Sequence, residues 1–327
     1  MRTILSKGAH SIVFTDDKEP GIVIKEQLGK DLNYLPRQKH GYDIINNIKK
    51  HNLDTGVMLP EIIEIKSDGD KQIIKEKMIP GKALSTENYS ALSEEQKDSI
   101  AKQMAIFLNA MHSSYECKPA TESIKNMTNG KLNNADEIIT KFAGTLPKNI
   151  SDRLKQAEEY LSTSDISNEF IVMTHKDLRT ANIMYDEKTG KIAVIDFELA
   201  GIGNVYRDFV PYSTSTSMPW DFTKRVIKCY NNIPNKKYPI TIDPKKVQNM
   251  LFYGLLCEIA RATSPQDMQK TTKDDVIELY KMLETVSGIN PDTKSAFEKG
   301  IQEIKKMQPD NQQLNVASQF SNLFQKD

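Results

Sequence analysis

The sequence predicts an α+β protein with two lobes: a small N-terminal lobe with an antiparallel sheet and a larger, mainly helical C-terminal lobe. At 327 residues the chain exceeds the roughly 150 residues of one typical core. Short β-branched runs joined by turn residues fill the first 80 positions, whereas apolar residues at helical spacing prevail afterwards. We therefore expect an N-terminal lobe over residues 1–80 and a C-terminal lobe over residues 81–327.

Composition excludes several classes of partner. The chain has 44 Lys and Arg against 44 Asp and Glu, which argues against nucleic acid or a membrane surface as the main partner. No apolar run approaches the roughly 18 residues of a membrane span, and the first residues lack a signal-peptide core. The three scattered cysteines, Cys117, Cys229 and Cys257, are typical of reduced thiols. These features predict a cytoplasmic protein and leave its oligomeric state open.

Two features of the first 25 residues have both an ordinary and a functional interpretation. The segment Ser6–Phe14 lies between β-prone runs and contains Gly8 and Ser11. It is either an ordinary hairpin or a turn whose N–H groups face phosphate oxygens. Gly21–Lys25 is a β-branched run that ends in lysine. Lys25 is either a solvated edge-strand lysine or a ligand of nucleotide phosphates.

A helix and two more strands are predicted before residue 80. The helix covers Pro36–His51, with Tyr42, Ile44, Ile45 and Ile48 on its apolar face. Glu61–Lys66 and Gln72–Met78 are predicted strands, joined by a turn at Asp68-Gly69. Pro80-Gly81 then marks a turn or linker.

The most informative segment is 171–208, in which three polar side chains follow short apolar runs. His175, Asp177 and Asn182 form an H-x-D-x-x-x-x-N string, and Asp196 stands 14 residues beyond Asn182. Phe170–Met173 and Ile192–Ile195 are predicted strands, and Asp186–Gly190 supplies the turn of a hairpin. This pattern is expected to bring Asp177, Asn182 and Asp196 to one rim.

The chemistry of these residue types suits phosphoryl transfer from a nucleoside triphosphate. Such a reaction needs a carboxylate beside the acceptor hydroxyl and oxygen ligands for Mg²⁺. Asp177 is the candidate catalytic residue, and Asn182 and Asp196 are the candidate metal ligands. The alternative is that Asp177 caps a turn, Asn182 begins a strand and Asp196 is a solvated loop carboxylate. His175 is expected to brace the loop through hydrogen bonds of a neutral imidazole.

The same segment resembles the aminoglycoside phosphotransferase and choline kinase superfamily. The usual strings there are H-G-D-L-H-x-x-N and I-D-[FW]-E, and this chain has H-K-D-L-R-T-A-N and I-D-F-E. Lys176 replaces the usual glycine, and Arg179 replaces the usual histidine. The run A-G-I-G-N-V-Y-R-D, ending at Asp208, resembles the family's A-G-x-G-x-x-x-x-D. The D-F-G and A-P-E strings of protein kinases are absent.

The resemblance implies a protein-kinase-like fold, Mg²⁺, and ATP or GTP as co-substrate. It further implies that Lys25 holds nucleotide phosphates and that the hinge between the two lobes lies at Met78. It also implies that Asp208 supports the loop that begins at Asp196 and binds the metal ion, here called the metal loop. The glutamate that relatives carry on the first helix to hold the lysine is missing here. Gly41 falls near its place and Asp43 is the nearest acid, so either Asp43 substitutes for it or the lysine is positioned differently.

The remaining chain is predicted to be mainly helical. Ser93–Ser113 has apolar residues at helical spacing, and Asp243-Pro244 opens a helix that continues to about Thr263. Glu116–Asp165 is a polar stretch interpreted as an insertion near the substrate entrance. Two further amphipathic helices are predicted, over Asp274–Ser287 and Asp292–Met307.

The residues that would contact the acceptor are the least determined. Relatives bind acceptors against the helices that follow the catalytic loop, so the candidates are Glu198, Tyr212, Trp220, Asp221 and Glu258. Aromatic faces and acids there would suit a cationic amine or a sugar. The alternatives are a surface loop around Trp220 and a pairing of Glu258 with Arg261.

The sequence therefore predicts a Mg²⁺-dependent kinase that transfers the γ-phosphoryl group of ATP or GTP to a hydroxyl of a small molecule. Examples of such an acceptor are an aminoglycoside, a choline-like amine or a sugar, and its identity is left open. Two rivals remain open. One is a protein or lipid kinase on the same fold, and the other is a nucleotide-binding pseudokinase, which the missing helix glutamate favours.

Overall fold

A computed structural model describes residues 1–7, 11–28, 33–50, 56–68, 71–119, 148–163, 169–210 and 219–262. The chain falls into two compact units. The first comprises Met1–Cys117, Ile171–Asp208 and Asn232–Tyr238, and the second comprises Lys118–Phe170, Phe209–Asn231 and Pro239–Asp327. None of the helices in the described ranges combines the length and apolarity needed to cross a membrane. The lobe boundary near residue 80 stays a prediction.

An antiparallel sheet of five strands begins the first unit, which confirms the predicted α+β class. Its strands are β1 (Arg2–Lys7), β2 (Ser11–Asp16), β3 (Ile22–Gln27), β4 (Ile62–Asp68) and β5 (Lys71–Lys77). They lie in the order β1-β2-β3-β5-β4, and every neighbouring pair is antiparallel. Phe14 and Ile24 are buried on one face of the sheet, and Ile74 is buried on the other face, which it shares with Lys25. The sheet therefore places β3, which carries Lys25, beside β5.

Helix α1 (Tyr34–Lys50) follows β3 and begins two residues before the predicted start. Its buried side includes the predicted apolar face, Tyr42, Ile44, Ile45 and Ile48. Asp43 and Asn46, which lie between them, remain exposed. The 3.6-residue spacing thus predicted both the helix and its buried side.

The longest helix of the first unit is α3. After the two-residue strand β6 (Lys82–Ala83) and the short helix α2 (Thr86–Ser90), α3 covers Glu94–Ser113, as predicted. Ser93 caps it, because the Ser93 hydroxyl accepts from the N–H of Gln96 and the Gln96 side chain accepts from the N–H of Ser93. The two-residue strand β7 (Lys118–Pro119) follows.

The segment 171–208 folds as the spacing predicted. Strand β8 covers Phe170–Thr174, and β9 (Ile183–Asp186) and β10 (Lys191–Val194) form the expected hairpin. Single 3₁₀ turns, Thr180–Asn182 and Val205–Asp208, precede β9 and follow a further strand, β11 (Gly201–Asn204). β11 pairs with β8 and was not predicted, because two glycines in four residues give little strand propensity.

Three helices are described in the second unit. α4 (Lys148–Thr163) lies inside the predicted insertion, α5 covers Trp220–Asn231, and α6 (Pro244–Ala262) agrees with its predicted bounds. The α4 side chains Leu154, Ala157 and Leu161 are buried, as are α6 residues from Val247 to Leu255 apart from Gln248 and Gly254. The predicted helices Asp274–Ser287 and Asp292–Met307 lie outside the described residues.

Gly81 follows β5 and is required by both its conformation and its surroundings. Its φ is +104°, and a Cβ there would lie 2.3 Å from the carbonyl oxygen of Tyr185 in β9. The backbone of β6 pairs with β9 immediately afterwards. The linker can therefore approach the catalytic hairpin only because position 81 has no side chain.

We expect Gly81→Ala to lower the free energy of unfolding by roughly 2–4 kcal/mol, because it adds a backbone clash to an unfavourable φ. Gly21→Ala is the matched control. Gly21 has a φ of +76°, but a Cβ added there would meet nothing within 4 Å, so this change should cost only about 1 kcal/mol. Urea unfolding of both variants measures the difference, and equal costs would contradict the assigned contact with Tyr185.

Candidate active site

A fully buried carboxylate, that of Asp208, organises the loop that carries the candidate catalytic residues. Its oxygens accept hydrogen bonds from the backbone N–H groups of His175 (3.0 and 3.2 Å) and Lys176 (3.0 Å). The same carboxylate lies 3.1 Å from Nε2 of His112, near the end of α3. Asp208 therefore ties the catalytic loop to the long helix of the same unit.

His175 is buried and neutral. Its Nε2 donates to the carbonyl of Ile195 (3.0 Å), and its Nδ1 accepts the N–H of Asp177 (3.3 Å). This pattern is that of the tautomer with its proton on Nε2. Burial lowers the pKa of His175, although the nearby Asp208 and Asp196 carboxylates oppose that shift. Its two hydrogen bonds therefore join the loop that contains Asp177 to the residue that precedes Asp196.

Lys176 has a backbone conformation that usually requires glycine, which is the residue that relatives have at this position. Its φ is +66°, in the left-handed region that L-residues avoid. The side chain extends along β11, where a Cβ on Gly201 would lie 2.9 Å from the Lys176 Nζ atom. Burial lowers the pKa of the Lys176 ammonium, and Arg207 adds to this effect against the attraction of Asp208. The glycine of β11 thus provides the space that this unusual lysine occupies.

Asp177 and Asn182 contact each other directly. The Asn182 amide nitrogen donates to the carbonyl of Asp177 and to its carboxylate oxygen Oδ2, both at 2.8 Å. Arg179, which replaces the usual histidine, places Nε 3.3 Å from the same Oδ2. The Asp177 side chain remains 22% exposed, so an acceptor hydroxyl can reach it.

Asp196 follows β10 and adjoins Asn182. The N–H of Ile195 donates to the carbonyl of Asn182 at 3.0 Å, which brings the next residue, Asp196, beside the start of β9. Asp196 has a φ of +67°. The nitrogen of the Asn182 amide is bonded to Asp177, which leaves its oxygen as the atom available to a cation. The backbone therefore brings Asp196, which carries a carboxylate, close to Asn182, which carries an amide oxygen.

This donor set fits Mg²⁺. In the part of the chain that the structure describes, no group of three or more His, Cys, Asp or Glu side chains is arranged to hold a metal ion. Mg²⁺ does not need such a cage, because it keeps several waters and takes other ligands from nucleotide phosphates. An Asn182 and Asp196 pair meets that requirement, whereas it would be a poor site for zinc.

Lys25 pairs with Glu76 of β5, and this corrects the suggestion that Asp43 substitutes for the missing helix acid. The Lys25 Nζ atom lies 2.8 Å from Oε1 of Glu76, and the two side chains are 13% and 7% exposed. Burial disfavours the ammonium, but the Glu76 carboxylate, then Tyr42 and Asp196, outweigh burial and raise the pKa of Lys25. Asp43 points to solvent, because it lies on the exposed side of α1.

The structure describes the other candidate residues to different extents. Glu198 accepts a hydrogen bond from the Gln38 amide at 2.8 Å. Ser11 lies in β2 opposite Gln27. Met78 follows β5, and its N–H is already bonded to the carbonyl of Gly21 at 2.8 Å.

Trp220 and Asp221 begin α5 in the second unit, where Asp221 pairs with Arg225 at 2.8 Å. Gly8, Tyr212 and the side chain of Glu258 lie outside the described residues.

Three site residues, Glu76, Tyr42 and Gln38, were not predicted from the sequence. Tyr42 was expected only on the apolar face of α1, and nothing in the sequence distinguished Gln38 from the other polar residues of that helix. One signal was present. Glu76 stands two residues after Ile74, on the same inward face of β5, and an acid at an inward position needs a partner.

Comparison with known proteins identifies the family. A model of the phosphotransferase enzyme family matches residues 43–226, which is more than half of the chain. This chain belongs to that family. The match includes the whole catalytic segment from His175 to Asp208, and it confirms the resemblance to aminoglycoside phosphotransferases. The chain is accordingly a phosphotransferase with an alcohol group as acceptor.

Solved structures show the fold of this phosphotransferase. The streptomycin–ATP ternary complex of APH(2″)-IIa is 19% identical, with a TM-score of 0.51 over 88% of this chain and 93% of that chain. The GDP and kanamycin complex of APH(2″)-IIia is 15% identical, with a TM-score of 0.57 over 88% and 92%. ADP-bound aminoglycoside phosphotransferase APH(2″)-Ib is 19% identical, with a TM-score of 0.51 over 87% and 92%.

The left-handed conformation at Lys176 should reverse the usual order of two truncations. Lys176→Gly and Lys176→Ala both remove the side chain, but only alanine retains the cost of a positive φ. We expect the glycine variant of this phosphotransferase to be more stable by roughly 1 kcal/mol in urea unfolding. An alanine variant of equal or greater stability would be incompatible with the assigned backbone conformation.

The neutral, buried His175 should make stability depend on pH. Because its pKa is lowered from 6.5, the unfolded chain takes up this proton first as pH falls. The stabilisation by neutral His175 is therefore complete above pH 6.5 and lost below it, by at most about 1.4 kcal/mol per pH unit. His175→Gln keeps a donor and an acceptor but cannot titrate.

Unfolding free energies at pH 7.5 and 5.5 test this expectation. The variant should lose less stability than the wild type over that interval. Parallel losses in both proteins would show that His175 does not contribute to the pH dependence.

Proposed function

We propose that this phosphotransferase transfers the γ-phosphoryl group of ATP or GTP, with Mg²⁺, to a hydroxyl of a small molecule. An aminoglycoside, a choline-like amine or a sugar is the acceptor class. The observation that carries the proposal is the cluster of Asp177, Asn182 and Asp196 beside the charged Lys25. Asn182 bonds to Asp177 at 2.8 Å, the backbone adjoining Asp196 bonds to Asn182 at 3.0 Å, and Asp196 helps to keep Lys25 protonated.

Each residue has one task in this proposal. The Asp177 carboxylate accepts a hydrogen bond from the acceptor hydroxyl and takes its proton. The hydroxyl oxygen forms a bond to the γ-phosphorus, and the bond between that phosphorus and the β–γ bridging oxygen breaks. The nucleoside diphosphate leaves with that electron pair. Lys25 holds the phosphates, so that the chain contributes chiefly positioning and charge neutralisation.

Asn182 and Asp196 would hold the magnesium ion, with the fit described above. When bound, Mg²⁺ neutralises charge on the phosphate oxygens. Asp208 and His175 act only by holding the loop. Asp208 fixes the N–H groups of His175 and Lys176, and His175 connects Asp177 to Ile195.

Support for a small acceptor comes from the family and from the ligands of its solved members. Solved relatives on this fold were obtained with streptomycin or kanamycin and with ATP, ADP or GDP. Glu76 also supplies the carboxylate for Lys25 whose absence from the helix was the one feature that favoured a pseudokinase. Glu198, Tyr212, Trp220, Asp221 and Glu258 remain the proposed acceptor contacts, and Gly8, Ser11 and Met78 the proposed nucleotide contacts.

Magnesium-dependent ADP or GDP release against a panel of aminoglycosides, choline, ethanolamine and sugars tests the proposal. One acceptor class should stimulate release. Asp177→Asn should lower kcat by about 10²–10⁴-fold through loss of the general base, with the fold retained. Asp196→Asn should abolish turnover through loss of a metal ligand, whereas Lys25→Ala should mainly raise KM for the nucleotide.

Asp152→Asn is the matched control, since Asp152 lies exposed on α4, away from the proposed residues in the sequence. It should behave as the wild type does. Nucleotide binding without stimulation by any acceptor would reject small-molecule transfer. Retained turnover in Asp177→Asn would reject the assigned base.

A further inference from the structure

The partner of Lys25 comes from the neighbouring strand of the sheet. In the antiparallel pair of β3 and β5, Lys25 lies opposite Ile74. Glu76 stands two residues beyond Ile74 and so has its side chain on the same face. The resulting diagonal pair joins Nζ of Lys25 to Oε1 of Glu76 at 2.8 Å. Both charged partners of the pair therefore come from neighbouring strands of the sheet.

Helix α1 cannot supply this acid from position 41, which falls near the place of the glutamate in relatives. Gly41 faces the metal loop so closely that a Cβ there would lie 2.6 Å from the carbonyl oxygen of Phe197. No side chain fits at that distance, because the obstacle is backbone. A glutamate at position 41 would therefore push α1 away from the loop that carries Asp196. The adjacent contact of Gln38 with Glu198 at 2.8 Å holds the helix in this close position.

The helix instead contributes a phenol. Tyr42 follows Gly41, and its hydroxyl donates to Oε1 of Glu76, the same atom that receives Lys25. Burial, followed by the negative charge of Glu76, raises the pKa of Tyr42 against the attraction of Lys25. The phenol therefore stays protonated and is a permanent donor. Lys25, Glu76 and Tyr42 form a chain from the sheet to the helix, beside a recess that Asp196 and Phe197 also line.

We infer that Glu76 and Tyr42 are positioning residues that jointly replace the missing helix acid. Glu76 holds the Lys25 ammonium where the nucleotide phosphates bind, and Tyr42 couples Glu76 to α1. This inference rests on the proposed function, because it assigns a phosphate-holding task to Lys25. It separates this chain from relatives in which a single helix glutamate holds the lysine.

The test compares binding of a nucleotide and of its nucleoside by calorimetry. ATP and adenosine are used, or GTP and guanosine if the wild type binds those. Lys25 acts on phosphates, so Glu76→Gln should weaken ATP binding at least about tenfold, because a buried cation loses its charge partner. Adenosine carries no phosphate charge, and its affinity should change by less than about twofold. A general disturbance of the fold would weaken both ligands equally.

Two further variants sharpen the comparison. Tyr42→Phe keeps both charges and removes only the hydrogen bond to Glu76, so it should weaken ATP binding by about threefold to tenfold and leave adenosine unchanged. If circular dichroism and thermal unfolding show that Glu76→Gln does not fold, the ATP and adenosine affinities of Tyr42→Phe test the inference instead. Asp43→Asn is the control, because it alters the nearest helix acid, and it should bind ATP as the wild type does.

The outcomes are distinct. Selective loss of ATP affinity in Glu76→Gln and Tyr42→Phe, but not in Asp43→Asn, supports the inference. Equal loss of ATP and adenosine, or unchanged ATP affinity, overturns it. Loss of ATP affinity in Asp43→Asn alone would assign the positioning of Lys25 to the helix acid Asp43.

The acceptor panel separates this inference from the proposed function. Selective ATP effects in a protein that phosphorylates no acceptor would reject the proposed transfer and keep the positioning residues. Normal ATP binding by Glu76→Gln, in a protein whose wild type phosphorylates an acceptor, would reject the positioning residues and keep the proposed transfer. A wild type that binds neither nucleotide would overturn both.

Discussion

The arrangement of the whole site depends on the buried carboxylate of Asp208. It satisfies two consecutive backbone N–H groups of the catalytic loop and also contacts His112 of α3. A buried carboxylate without such partners would be costly. The catalytic loop, the end of α3 and the segment that carries Asp208 must therefore adopt compatible positions. One of these N–H donors belongs to Lys176, whose φ is +66°.

A second constraint is the distance between α1 and the metal loop. The missing side chain at Gly41 lets the helix reach the carbonyl of Phe197, and Phe197 in turn packs against His175 with ring centroids 4.6 Å apart. Helix, metal loop and catalytic loop are therefore connected by direct packing. A side chain added at Gly41 would displace the loop that carries Phe197. It would therefore change the positions of both Asp196 and Asp177, because tightly packed interiors transmit such displacements.

The sequence predicted the family and most of the fold, and the reasons are physical. The spacing of Ser93–Ser113 and the cap at Asp243 marked helices whose bounds hold within a residue or two. The spacing between Asn182 and Asp196 predicted a hairpin that the structure contains. Strand β11 could not be predicted, since Gly201 and Gly203 have little strand propensity and instead leave space for Thr174 and Lys176. That role depends on tertiary contacts and not on local propensity.

The partner of Lys25 shows why a missing motif residue is weak evidence for a missing role. Comparison of sequences looks for an acid at one position, whereas the buried ammonium requires only a carboxylate within about 3 Å to offset the cost of its burial. In an antiparallel sheet that carboxylate can come from the diagonal position on the next strand, at no cost in backbone strain. Glu76 meets this requirement while α1 remains close to the metal loop. The helix keeps its influence over Lys25 through the Tyr42 hydroxyl, so that the two constraints, close packing at Gly41 and a paired lysine, are satisfied by adjacent residues of one helix.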